Sequence, residues 1–376
     1  MNISEHGQSM NTNRQEIRRC IRCIMPENYP EVSIDDEGVC NFCRVFDTYW
    51  NSWIDNPEAQ AESEKRLRLV FETAKRKKKP YDILIGLSGG KDSSYMLHLC
   101  REVYDLNVLT FTNDSGILTE GAKSRIDQMV KRYKVKHIYC SEPLFAELAG
   151  VFVRKTGNFC TVCELSNYNF HSVLLREYDI PLCAIGSSSR TEAGVPKYLN
   201  PWDPWYFKQV LKGEPFRERL HCSSFNRNYI LRTGIETLLG RLRLVILPDY
   251  LEWDDDKISA LFNNELGFNF GEEHSDCYFY KVADYLHGKK YHGNHPKTAK
   301  LSLMVRTGKL SREDALLEVS KPFHTGPPEG IERFLEFTGI TPDEFKEASE
   351  KTPATYLNGI SRLFNLVRKK MRRQAG

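Results

Sequence analysis

Two residue patterns in this 376-residue chain have the types and spacing to do chemistry. The first is Ser88-Gly89-Gly90-Lys91-Asp92-Ser93-Ser94, which follows the apolar run Ile83-Leu84-Ile85-Gly86-Leu87 and opens an amphipathic stretch. Glycines let backbone N–H groups approach an anion, a helix start adds positive potential, and Lys91 adds a formal charge. The hydroxyls of Ser88, Ser93 and Ser94 are further donors. A strand, a turn and a helix in that order predict a phosphate site. The glycine spacing and the aspartate directly after Lys91 exclude a Walker A loop. The plainer alternative is a strand-to-helix turn capped by Asp92 or Ser93.

The second pattern is cysteine pairs. Cys20 and Cys23 are separated from Cys40 and Cys43 by sixteen residues, the spacing of a zinc ribbon. Four thiolates fill a tetrahedral Zn²⁺ and leave no open position, so the predicted role is structural. Cys160 and Cys163 form another pair, with Cys277 in the polar run His274-Ser275-Asp276-Cys277 preferred as third ligand over Cys222 beside His221. Three thiolates on an open cluster would suit a [4Fe–4S] centre with one iron left for substrate. A second zinc site or a structural thiol pair stays open. Cys100, Cys140 and Cys183 lie in apolar surroundings and read as core. His274, His287, His292 and His295 are loosely clustered in sequence and read as surface histidines.

These groups need a frame. Ile83–Ile85, Val108–Phe111, His137–Tyr139, Leu182–Ile185 and Leu244–Leu247 are predicted buried strands. Helical patterns over Ser93–Tyr104, Thr119–Tyr133 and Glu164–Tyr178 alternate with them. The expectation is an α/β fold: a parallel twisted sheet with helices on both faces, ligands at the carboxyl ends of the strands. The predicted organisation is a flexible arm over 1–19 and a zinc-ribbon-like unit over 20–60. A connecting helix over 61–80 stops at Pro80, the sheet domain occupies 81–250, and a helical region runs over 251–376 with helices at Thr341–Lys351 and Ala354–Arg373.

Composition narrows the class. Hydrophobic residues are 40% and charged residues 27%, as in soluble globular proteins. The polar start lacks the apolar core of a secretory signal and no long apolar run follows, so a cytoplasmic protein without membrane insertion is expected. With 53 basic and 50 acidic residues the net charge is +3, too balanced for a broad nucleic-acid-binding field. The basic runs Lys75–Lys79 and Arg368–Arg373 read as solvated helix ends.

The pattern S-G-G-x-D-S resembles the PP-loop of N-type ATP pyrophosphatases, whose fold is adenine nucleotide alpha hydrolase-like. The resemblance implies that ATP is cleaved between its α and β phosphates with Mg²⁺, the loop holding the departing pyrophosphate. Catalysis then falls to Lys91, Asp92 and Ser88, and ATP binding to residues 88–94. Two later strand ends would complete the pocket: Asp114, after the second strand, and Gly186 and Glu192, after the fourth. Gly186 is placed near adenine or ribose, and Asp114 or Glu192 near Mg²⁺.

The order of a double C-x2-C unit, S-G-G-K-D-S-S, an internal C-x2-C and a later Asp-Cys pair resembles the N-acetyl sugar amidotransferases of surface-polysaccharide and flagellin-sugar biosynthesis, over about residues 18–320. That family carries G-E-N-x-x-x-E-x-G-G after the fourth strand, where this chain has Gly186-Ser187-Ser188 and Glu192-Ala193-Gly194. The resemblance implies conversion of an acetamido to an acetamidino group on a nucleotide sugar of lipopolysaccharide or O-antigen biosynthesis. Ammonia would come from a separate glutaminase subunit, and Lys197 or Arg190 would meet an anionic group of the sugar. The tRNA-thiolating branch of the PP-loop proteins, with its open iron–sulfur cluster, is the alternative, and a zinc-ribbon interaction module with a degenerate nucleotide fold is the non-enzymatic one.

Overall fold

The computed structural model describes residues 17–29, 32–54, 56–188, 204–216, 219–222, 235, 239, 243–270, 276–290, 294–323, 326–351 and 353–360. Five short strands, β1 (Ile83–Gly86), β2 (Val108–Asn113), β3 (Lys136–Cys140), β4 (Leu182–Ile185) and β5 (Arg243–Ile246), form one sheet in the order β3-β2-β1-β4-β5, and every pairing is parallel. The chain builds outward from β1 on one side and from β4 on the other. A topological switch point therefore lies between β1 and β4, where a parallel sheet opens a crevice at its carboxyl edge.

Strand alternation splits the core. Ile83, Ile85, Val108, Leu182, Ala184 and Val245 face one layer, made by α2 (Pro57–Arg76), α3 (Lys91–His98) and α4 (Glu120–Tyr133). Leu84, Leu109, Phe111 and Cys183 face the other, where Phe170, Leu174 and Leu175 of α6 (Cys160–Glu177) close over them. This is a parallel α/β sheet with helices on both faces, preceded by a four-cysteine unit that ends in α1 (Asn41–Phe46) and followed by helices.

The later helices pack in three places. Trp253, Ile258 of α8 (Asp255–Ala260) and Phe262 join the core around α3. Residues from α9 (Tyr280–Lys290), α12 (Ile331–Thr338) and α13 (Pro342–Ser349) share a core with α5 (Phe145–Thr156) and α7 (Pro204–Val210). Ala299 and Val305 of α10 (Thr298–Arg306) pack on the cysteine unit, whose Ile24 meets Leu301 and Ala315 of α10 and α11 (Arg312–Ser320). The core thus runs across residue 250. Among the described residues no helix is long and apolar enough to cross a membrane.

Several expectations need correction. β3 and β5 are the sheet's edges, so both are partly exposed rather than buried. Cys140 at the end of β3 is likewise only half-buried. The connecting helix starts at Pro57, where Asn56 caps it by accepting from the Ala59 N–H, and stops at Arg76 because Lys78 turns to φ +51°, ahead of Pro80. Helix α6 begins at Cys160 rather than Glu164, and α5 was not anticipated. His295 is buried, its ring edge-on to Phe323 and its Nδ1 accepting from the Lys297 N–H at 3.1 Å. Pro353–Tyr356 is a 3₁₀ turn where the last helix was expected to begin, and residues 361–376 lie outside the described ones.

Candidate functional site

The glycine loop sits at the carboxyl end of β1, beside the switch point. Gly89 takes φ +78°, and a Cβ there would stand 2.7 Å from the Ala122 carbonyl oxygen in the first turn of α4. Only glycine meets both demands. Gly90 is the N-cap of α3 and receives no side-chain cap, so neither Asp92 nor Ser93 serves as the expected cap. Instead the hydroxyls bind inward. Ser93 and Ser94 donate to the Gly90 carbonyl at 3.1 and 2.9 Å, and the Ser88 N–H donates to Ser93 Oγ at 3.2 Å. The Gly90 N–H donates to Ser88 Oγ at 3.2 Å. These bonds hold the loop in a cup at the helix start, where the macrodipole and Lys91 favour an anion.

Both charged residues of the loop are met from beyond β5. Trp253 Nε1 donates to Asp92 Oδ1 at 2.9 Å, and the Lys91 ammonium pairs with Asp255. On the other flank, Arg125 of α4 donates from Nε to the Gly89 carbonyl at 2.7 Å. Trp253, Asp255 and Arg125 escaped the sequence reading, because pairs this distant in the chain leave no local pattern. The acidic run Asp254-Asp255-Asp256 was the one visible hint.

Of the residues expected to complete the pocket, Gly186 lies at the end of β4 against α3: a Cβ on it would sit 3.1 Å from Met96 Sδ. Asp114 follows β2 and is paired to Lys123 at 3.1 Å, which raises the lysine's pKa chiefly through that hydrogen bond. Glu192, Arg190 and Lys197 lie outside the described residues, as do His274 and His292; the side chains of His221 and Cys222 do also. His287 belongs to α9, in a different part of the fold from the loop. His171 of α6, missed in sequence, stacks edge-on to Phe111 at 4.6 Å and would lie 3.5 Å from a Cβ on Gly86. Burial lowers its pKa to about 4, so it is neutral at pH 7.

Cys160 and Cys163 occupy the first turn of α6, at the same edge of the sheet as the loop. Cys277 reaches them through a short antiparallel bridge to Leu118: Thr119 N–H donates to the Asp276 carbonyl and Tyr278 N–H to that of Ile117, at 3.0 and 2.9 Å. The Cys163 thiol is pushed well up, first by burial and then by the charges of Cys277 and Cys160, although the three sulfurs are not all within 4.8 Å of one another. Burial pushes Cys277 up to about 11. A polar chain ties this corner to β2. Asn113 Nδ2 donates to Ser166 Oγ at 2.5 Å, and Ser166 donates to the Cys163 carbonyl at 3.0 Å. Ser115 Oγ donates to Asn113 Oδ1 at 2.6 Å and accepts from the Glu142 N–H at 3.1 Å.

Among the described residues, one set of three or more ligand atoms lies mutually within 4.8 Å: the buried sulfurs of Cys20, Cys23, Cys40 and Cys43. Cys20–Cys43 and Cys23–Cys40 are 3.8 and 3.7 Å apart. Tetrahedral Zn–S bonds of about 2.3 Å require sulfurs about 3.8 Å apart, so the set fits that ion and closes it. Backbone N–H groups of Cys40 and Met25 donate to Cys20 and Cys23 sulfurs at 3.3 and 3.4 Å. The Cys20 thiol is pushed down by hydrogen bonds from Cys23, Cys40 and Cys43.

The family model described as "LPS biosynthesis protein WbpG-like, C-terminal domain" matches residues 269–369. No curated protein matches the chain at a significant level. Solved structures similar to it include the NH3-dependent NAD synthetase of Campylobacter jejuni, at 15% identity and TM-score 0.30 over 55% of this chain and 93% of that one. Another is the NMN synthetase of Francisella tularensis, at 12% and 0.33 over 76% and 95%. A third is the U34-tRNA thiolase NcsA of Methanococcus maripaludis with its [4Fe-4S] cluster, at 16% and 0.35 over 83% and 92%. The fold assignment rests on the strand order and register; the sequence match falls on the helices that follow the sheet.

Proposed function

We propose that this chain is an ATP-dependent amidotransferase that converts the acetamido group of an N-acetylated nucleotide sugar to an acetamidino group. The observation that carries the reading is the glycine loop at residues 88–94, set at the switch point of a parallel sheet with Gly186 at the end of the neighbouring strand β4. The WbpG-like match over residues 269–369 supports a sugar of lipopolysaccharide assembly as the substrate class.

An amide carbon is a weak electrophile. In the proposed reaction the amide oxygen attacks the α-phosphorus of ATP and the bond to the β-phosphate oxygen breaks, releasing pyrophosphate. Ammonia adds to the carbon of the adenylated imidate, AMP departs with the former amide oxygen, and a proton is lost to leave the amidine. The loop N–H groups and Lys91 neutralise charge growing on pyrophosphate, which is electrostatic catalysis by fixed donors. Mg²⁺, when bound with ATP, would supply Lewis-acid neutralisation, and Asp92 and Asp114 are two described carboxylates at that edge that would hold it. Ammonia is assigned to a glutaminase subunit. The cysteine set at residues 20–43 takes a structural Zn²⁺, far in kind from an open catalytic metal.

Cys160, Cys163 and Cys277 favour a second reading, thiolation of tRNA, because three thiols packed against one core at the loop's edge suit an open [4Fe–4S] cluster. Incubation with ATP, Mg²⁺, ammonium and N-acetylated nucleotide sugars, followed by mass spectrometry, separates the two. The mass decrease of an O-to-NH exchange supports amidination. Thionated tRNA in place of an altered sugar would transfer the assignment to the second reading.

A further inference from the structure

Trp253 and Asp255 come from the segment after β5, yet both end on the first turn of α3, on consecutive residues of the phosphate loop. The segment is anchored to do so. Trp253 is buried and lies edge-on to Tyr95, ring centroids 4.9 Å apart, which fixes the direction of its N–H. Asp254 caps α8 by accepting from the Asp256 and Lys257 N–H groups at 3.0 Å each, and it is paired with Lys309 at 3.0 Å. Asp255, one residue on, is left in the first turn of α8 facing Lys91. The Lys91 side chain is 22% exposed and that of Asp255 60%, so the ammonium is tucked in while its carboxylate partner stands at the mouth.

A triphosphate seated in the cup would seek the same ammonium, and contact with two anionic groups at one face of it is mutually repulsive. We infer that Trp253 and Asp255 form a latch on the loop: Trp253 is a positioning residue that fixes the Asp92 carboxylate, and Asp255 holds Lys91 until a triphosphate displaces it. The inference rests on reading the loop as a nucleotide site. It adds a specific exchange: binding breaks the Lys91–Asp255 pair while the Trp253–Asp92 bond stays.

The test uses the full chain and two readouts. Without nucleotide, acylation of Lys91 by a small amine-reactive reagent is followed by peptide mass spectrometry; Asp255→Asn is expected to speed it about fivefold, the scale of a partly exposed ion pair. Equilibrium dialysis with ATP is expected to show about two- to fivefold tighter binding by Asp255→Asn, since a competing anion has been removed. Trp253→Phe keeps the ring against Tyr95 and deletes the donor, so kcat should fall while ATP affinity changes little. If Asp255→Asn leaves both Lys91 reactivity and ATP affinity unchanged, or weakens ATP binding, the latch is overturned and the nucleotide reading stands. A shielded Lys91 with no ATP bound by either protein overturns the nucleotide reading itself.

Discussion

Arg306 of α10 donates from Nη1 to the sulfur of Cys23 at 3.7 Å, joining the first cysteine pair to a helix near the other end of the chain. Arg312 adds Nε and Nη2 bonds to the Cys23 and Cys20 carbonyls at 3.0 and 3.2 Å. Two guanidinium groups thus sit over a cluster that carries net negative charge once four thiolates bind one divalent ion.

Removing the metal should therefore loosen more than the cysteine unit. Cys23→Ser, or a strong chelator, is expected to release about one equivalent of zinc and lower the thermal midpoint, with amide exchange rising across α10 and α11 as well as residues 20–43. Metal analysis with hydrogen-exchange mass spectrometry checks this. Unchanged protection in α10 and α11 would contradict the coupling.

Gly89→Ala should cost about 1–2 kcal/mol from its left-handed backbone alone, and the 2.7 Å approach to the Ala122 oxygen adds to that. Denaturant unfolding measures the loss. ATP binding should fall with it, because the loop must shift to relieve the clash.

Burial holds His171 and His137 down at about 4. Protonating His137 would also strand a buried Nε2 that has no partner. Unfolded histidine titrates near 6.5, so the unfolded chain takes up these protons first. Their contribution to stability is complete above pH 6.5 and is lost as pH falls from about 6.5 to about 4. The slope is at most about 1.4 kcal/mol per pH unit for each histidine. Urea midpoints across that window should fall with acidity, and His171→Gln with His137→Gln should flatten the trend.

Anaerobic reconstitution with iron and sulfide tests the second cysteine set. If the set holds a cluster, visible absorbance should appear and vanish in Cys160→Ser, Cys163→Ser and Cys277→Ser but persist in Cys222→Ser. Absorbance that survives Cys277→Ser would remove that residue from the ligands.

The sheet was legible where the physics was local. Ile83–Ile85 is a continuous apolar run, and Val108–Phe111 is broken only by the buried Thr110, because both faces are covered by helices. β3 and β5 were legible as strands but not as edges, where Lys136, His137 and Arg243 are left partly exposed. Helix α5 was legible and was passed over: Phe145, Leu148, Ala149, Phe152 and Val153 are spaced as one helical face, and all are buried. The cup was readable because its residues are consecutive. Trp253, Asp255, Arg125 and His171 were not, because what places them is the topology that folds four separate segments onto one edge.

Lys91→Ala and Asp92→Ala should abolish pyrophosphate release while leaving the fold largely intact by circular dichroism, since Lys91 is half-buried, Asp92 is exposed and neither belongs to the core.

The most direct measurement is the identity of the spent nucleotide when the chain turns over ATP with Mg²⁺, ammonium and an N-acetylated nucleotide sugar. Adenylation predicts AMP and pyrophosphate in equal amounts. ADP and inorganic phosphate would contradict it.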